Sequence, residues 1–143
     1  MNVQSILKQK SSEVSTIEQH AAIQHAARIM TMANIGALVV TSGDKVVGML
    51  MNRDIVRAFA RHGWGMTDLR VMDVMHPAFV SVAPEDKVKQ VMAQMTRQRI
   101  THMPVIVSGR LAGIISIGDV VKHALDELEL ETNVLRDAYI AVH

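Results

Sequence analysis

Residues 15–40, STIEQHAAIQHAARIMTMANIGALVV, fall without a gap on residues 80–105, VSVAPEDKVKQVMAQMTRQRITHMPV, when the chain is shifted by 65 positions. Ile23 meets Val88, Ala26 meets Val91, Met30 meets Met95, Ile35 meets Ile100 and Val40 meets Val105. Further on, Gly48 meets Gly113, Asp54 meets Asp119 and Val56 meets Val121. The opening VQSIL (3–7) resembles VMDVM (71–75) at a shift of 68, so the first copy carries three extra residues in between. Self-similarity of this kind outranks any local motif. Two copies make a duplicated unit rather than a solenoid.

Each copy reads alike. Residues 14–17 and 79–82 are short apolar or β-branched runs, hence expected strands. A helix follows, and in the second copy Pro84 is expected at its start with Glu85 and Asp86 in the first turn, at the positive end of the dipole. Val88, Val91, Met92 and Met95 then make an i, i+3, i+4, i+7 apolar stripe, matched by Ile23, Ala26, Ala27 and Met30. ALVVTSGDKVVGML (37–50) and MPVIVSGRLAGII (103–115) are hairpins turning at Ser-Gly. Closing helices begin in RDIVRAFAR (53–61) and GDVVKHALDELELE (118–131). The order is β-α-β-β-α twice, an α+β class with units at 1–62 and 71–143 and a glycine-broken linker at 63–70. A unit this small buries too little surface to be comfortable alone. The two are therefore expected to pack sheet to sheet about an approximate twofold axis, with matched clefts between them. The last helix runs on through LETNVLRDAYI, and Leu125, Leu128 and Leu135 face either a partner or the protein's own core.

Composition narrows the function. Among 143 residues, 15 basic side chains oppose 14 acidic ones, and there are one Trp, one Tyr and two Phe. That balance offers neither the basic stripe nor the stacking aromatics of a nucleic-acid binder. With no cysteine, disulfides, thiolate metal sites and cysteine catalysis are excluded, and a cytoplasmic location is expected. The apolar runs are far shorter than a membrane span, and the opening MNVQSILKQK lacks a secretory apolar core. The eleven methionines sit mostly at core-like helical positions. The histidines are expected to be mostly solvated; His20 and His25, five apart, do not form an i, i+4 metal pair. No phosphate loop, dinucleotide fingerprint or nucleophile elbow occurs, so no metal site or catalytic centre is expected.

What remains is the strand-to-helix junction. Ser116-Ile117-Gly118-Asp119 has the S-x-x-D form of a capping box, in which Ser starts the helix and the acid returns the bond. The same physics suits a ligand. Free N–H groups and the dipole at a helix start attract phosphate, and a serine hydroxyl adds a donor. A carboxylate one turn on can accept both hydroxyls of a ribose. At this level, capping and nucleoside phosphate binding both stand.

Taken together, the doubled unit, ITHMPV before VSGRLAGIISIGDVV, and NIGALVV before KVVGMLMNRDIV resemble tandem cystathionine-β-synthase (CBS) domains, over nearly the whole chain. The repeated G-x-x-[ST]-x-x-D-[IV] string in its proper place carries the likeness. The resemblance implies a Bateman module: a regulatory, non-catalytic sensor of adenosine-containing ligands such as AMP, ADP, ATP, NAD or S-adenosylmethionine, usually a homodimer, acting on an effector protein. It implies that Ser116 faces phosphate and Asp119 accepts ribose, with His102, Met103 and Pro104 lining the nucleoside pocket and Ser81 and Thr16 bordering the clefts. In the first copy it gives Asp54 the ribose role and Ile35, Gly36 and Ala37 the pocket wall. Met51 departs from the pattern, because a thioether cannot donate a hydrogen bond. Asn52 would then serve as cap or donor and Arg53 as charge. The clefts are expected to be unequal, the one marked by Ser116 being the better. The alternative is a ligand-free module that dimerises or docks on another protein.

Overall fold

In the computed structural model, residues 1–10 and 13–142 are described. The elements are α1 (Val3–Gln9), β1 (Thr16–Glu18), α2 (Ile23–Ala33), β2 (Ala37–Ser42), β3 (Lys45–Met51) and α3 (Asn52–His62). A 3-10 turn (Gly63–Asp68) leads to α4 (Val71–Val74), α5 (Val88–Gln98), β4 (His102–Val107), β5 (Arg110–Ser116) and α6 (Ile117–Val142). The α+β class and the duplication hold down to single backbone angles. Both α2 and α5 end on a left-handed residue, Asn34 at φ 53° and Arg99 at φ 55°. Both hairpins carry an irregularity at matched positions, Val40/Thr41 and Val105/Ile106.

Two expectations of the second copy need correction. In the first copy, β1 pairs in parallel with β2 over three residues. The run 79–82 forms no such strand: Val82 alone bridges Val105. The chain turns away at once, because Ala83 N donates to Asp86 Oδ2 at 2.8 Å and Pro84 has no N–H for a further ladder bond. For the same reason α5 begins at Val88 rather than at Pro84, with Lys87 as its cap. Pro84, Glu85 and Asp86 belong to the preceding turn.

Among the described residues, three apolar clusters hold the molecule. One gathers Val82, Val88, Val91, Met95, Met103, Ile115 and Val120 of the second copy. Another gathers Ile17, Ile23, Ala26, Met30, Leu38 and Leu50 of the first. The third lies between the sheets, where Val39, Val46, Met49 and Met51 meet Phe79, Ile106 and Ile114. Sheets therefore face one another across an approximate twofold axis.

The leading segments cross over. Val3 and Ile6 of α1 are buried in the second copy's cluster, whereas Val71 of α4 is buried in the first copy's. Backbone bonds repeat the exchange: Val3 N donates to Asp86 O and Gln4 N to Pro84 O, while Val71 N donates to Ala21 O and Met72 N to Gln19 O. The repeats follow one another along the chain, but each packed core is completed by the segment that leads into the other copy.

Beyond its first turns, α6 leaves the core. Val120 and His123 are its buried residues, and Leu125, Leu128 and Leu135 are exposed, which settles that they do not pack on the protein's own core. Among the described residues, no helix is long and apolar enough to cross a membrane.

Candidate functional site

The twofold axis generates two clefts. One, of about 360 Å³, is walled by Asn34, Ile35, Gly36 and Ala37 and by Ser15 of the first copy, facing His102, Ile114 and Ser116 of the second, with Lys10 and Glu13 at the rim. The other, of about 160 Å³, is walled by Ile100, Thr101, His102 and Val80, facing Met49, Met51 and Arg53, with His76, Ala78 and Phe79 closing it. The segment before each hairpin thus faces the strand–helix junction of the other copy. Small-molecule pockets start near 300 Å³, which the Ser116 cleft exceeds and its counterpart does not. The difference follows from matched positions: Met51 replaces Ser116, Arg53 replaces Gly118, Phe79 replaces Val14 and His102 replaces Ala37. The narrow cleft is filled by its own side chains.

At the Ser116 junction the capping box is complete. Asp119 N donates to Ser116 Oγ at 3.1 Å, and Ser116 N donates to Asp119 Oδ2 at 2.8 Å. Lys10, which the sequence did not single out, donates to the same Oδ2 at 2.7 Å and to Ile114 O at 2.8 Å. Burial works against the Asp119 carboxylate, but the hydrogen bonds from Lys10 and Ser116 outweigh it and hold its pKa below the usual carboxylate value. The Ser116 hydroxyl also contributes a side-chain hydrogen bond to the Asp119 carboxylate.

The Asp54 junction differs. Asp54 is 3% exposed; its Oδ2 accepts from Met51 N at 2.8 Å, and its Oδ1 lies 2.5 Å from His76 Nε2. The expected ribose acceptor is closed off by the crossing segment that carries His76. The cap of α3 is Met51, not Asn52, which is the first helical residue. Arg53 does reach its cleft.

The remaining expected residues separate. Ile35, Gly36 and Ala37 line the wide cleft together, and His102 borders both clefts. Met103 and Pro104 are instead fully buried in the β4 core, beneath the pocket wall. Thr16 and Ser81 are exposed and line neither cleft; the residues before them, Ser15 and Val80, do. A one-residue step along extended chain reverses the side-chain face. Of the histidines, His20, His25 and His62 are exposed, His76 and His102 are half-buried, and His123 is buried with no protein hydrogen bond to either ring nitrogen.

Burial lowers the pKa of His102; Asp119 opposes this, and the charges of Lys10 and Arg53 reinforce it. A folded pKa below the ordinary value of about 6.5 means that the unfolded chain takes up its proton first. Stability from this residue is present above that pH and is lost as the solution acidifies through the folded value. Asp119 has the same sign in a lower window, below about pH 4. His102→Gln is therefore expected to flatten the fall of Tm between about pH 7 and 5 relative to the parent. Melting curves across that range check this, and parallel profiles would refute it.

Two duplicated α+β units, joined sheet to sheet and flanked by a cleft on either side of the axis, define the class. A model of the CBS domain family matches residues 5–61 and 71–126, and the chain belongs to that family. It is 37% identical over 123 residues to the mitochondrial CBS domain-containing protein CBSX3 of Arabidopsis thaliana, covering 82% of this chain and 59% of that relative's length. The crystal structure of the CBS-domain containing protein ATU1752 from Agrobacterium tumefaciens superposes with a TM-score of 0.80 at 39% identity, over 85% of this chain and 91% of that one. The CBS domain pair of protein MJ0100, solved with 5'-methylthioadenosine and S-adenosyl-L-methionine, shares the fold at a TM-score of 0.77 and 22% identity, over 89% of this chain and 98% of that one.

Proposed function

We propose that this protein is a regulatory, non-catalytic sensor that binds one adenosine-containing ligand, AMP or a related ADP, ATP or NAD, in the Ser116 cleft. The observation that carries this reading is the 360 Å³ cleft, in which an apolar wall at 35–37 faces a hydroxyl at a helix start and an ammonium at the rim. The wall suits an adenine ring. Ser116 Oγ and the dipole of α6 suit a phosphate. Lys10 presently occupies Asp119 Oδ2; a ligand whose ribose hydroxyls claim that carboxylate frees the ammonium for the phosphate. Because α1 is hydrogen-bonded to the second copy, moving Lys10 couples occupancy to the orientation of the leading segment. Such a ligand shifts the equilibrium only by binding one arrangement better than the other. The MJ0100 pair, with its adenosine-containing ligands, supports the class of molecule. We place the protein in the cytoplasm as a homodimer acting on an effector protein.

Calorimetry with AMP, ADP, ATP, NAD and S-adenosylmethionine tests the reading. At least one ligand is expected to bind below about 1 mM, roughly −4 kcal/mol, and none doing so would refute it. Asp119→Ala should weaken binding more than Asp54→Ala, because Asp54 is sealed beneath His76; equal effects would contradict the ranking of the clefts.

A second reading, an interaction module without ligand, draws on the Lys10–Asp119 pair and the filled narrow cleft. Nucleotide released from the purified protein would exclude it.

A further inference from the structure

Every residue of α6 from Leu128 to Val142 is exposed. A solvent-exposed helical segment of this length is marginal in water on its own. Its apolar side chains are nonetheless ordered. Val121, Leu125 and Leu128 are spaced four and three apart, and Leu135, Tyr139 and Val142 resume the same alternation after Thr132. These are successive d and a positions of three heptads, at an average period of 3.5 residues, the signature of a two-stranded left-handed seam. The seam begins where the globular contacts of α6 end, with Val120 and His123 buried in the module and Val121 and Leu125 facing outward.

We propose that this segment pairs with the same segment of a second copy as a parallel coiled coil. Two observations select that occupant and direction. In a parallel pair Thr132 meets Thr132, and its Oγ1 already donates to Leu128 O in its own helix at 3.0 Å. Its burial therefore leaves no stranded donor. On the flanks, Glu131 at g stands five residues before Arg136 at e, which sets Glu131 against Arg136 of the second copy on both sides of the axis. The other g residues, Ala124 and Ala138, carry no charge, so no like charges face each other. Leu130, Val134 and Ile140 are apolar residues off the seam. The pairing gives the proposed dimer its surface and rests on neither cleft.

Sedimentation equilibrium of the full chain tests it. The parent is expected to be a dimer at about 100 µM, and a monomer there overturns the pairing. Leu128→Glu with Leu135→Glu is expected to abolish the dimer while leaving the Tm of the module almost unchanged, since both side chains are exposed. A dimer that survives this double change keeps dimerisation and removes the seam. Glu131→Arg alone, or Arg136→Glu alone, is expected to weaken the dimer about fivefold, and the two together to restore it; additive weakening overturns the ion pair. Because the chain has no cysteine, Thr132→Cys provides a clean test of direction. A disulfide-linked dimer on mild oxidation is expected, and failure to cross-link overturns the parallel register.

Discussion

Gly48→Ala is expected to destabilise the protein by about 2–3 kcal/mol, as overpacking does, and to lower Tm by roughly 5–10 °C. The matched change Gly113→Ala is expected to cost under about 1 kcal/mol. Both glycines lie where a crossing segment meets the second strand of a hairpin, Gly48 in β3 and Gly113 in β5, and both are buried. A Cβ on Gly48 would stand 2.7 Å from the carbonyl oxygen of His76 and 2.8 Å from Met75 Sδ. That carbonyl is fixed, because Met49 N donates to His76 O and His76 N donates to Met49 O. Backbone held on both sides cannot yield cheaply. A Cβ on Gly113 would also come within 2.7 Å of an atom, but that atom is Leu7 Cδ2, the end of a half-buried side chain that can rotate. Thermal melts of the two variants decide the matter, and equal losses would contradict the exchange of segments as the cause.

Ser116→Met is expected to weaken ligand binding at least tenfold, about 1.4 kcal/mol. It writes the first copy's residue into the second and acts twice, removing the Ser116 hydroxyl and filling the wide cleft. The capping bond to Asp119 N is lost as well, which costs roughly 1 kcal/mol of stability and is followed separately by melting. Ser116→Ala removes the donor without the bulk and should fall between parent and Ser116→Met. The converse Met51→Ser is expected to create no second site, since Arg53, Phe79 and His102 still fill the narrow cleft. Calorimetry with the best ligand of the panel measures all three. Unchanged affinity in Ser116→Met would remove the Ser116 cleft as the binding site.

Much of this was legible in the chain. The stripes Ile23/Ala26/Met30 and Val88/Val91/Met95 were readable because a buried helix face imposes a 3.6-residue period, and those residues are buried. The capping box at Ser116 was readable because it is local, closed over three residues. The inequality of the clefts was visible at Met51, although its size was not, since Phe79 and His102 reach the narrow cleft from distant positions. Local signals failed where a neighbour in space intervened. The run 79–82 looks like 14–17, but Pro84 and Asp86 end its pairing after one residue. Lys10 carried no motif, because its significance lies in a carboxylate more than a hundred residues away. The match of 3–7 with 71–75 at a shift of 68 rather than 65 was the one trace of the segments that cross.

By itself, then, the sequence determined the duplication, the α-β-β-α order shared by both copies, their family and the strand–helix junctions, all of which repeat within a few residues of backbone and side-chain period. Only the tertiary structure decided which segment completes which core, and with it the fates of Asp54 and Asp119. The two acids sit in the same local pattern, yet His76 closes over one and Lys10 reaches the other. A periodicity records which face of an element is buried, but not what buries it.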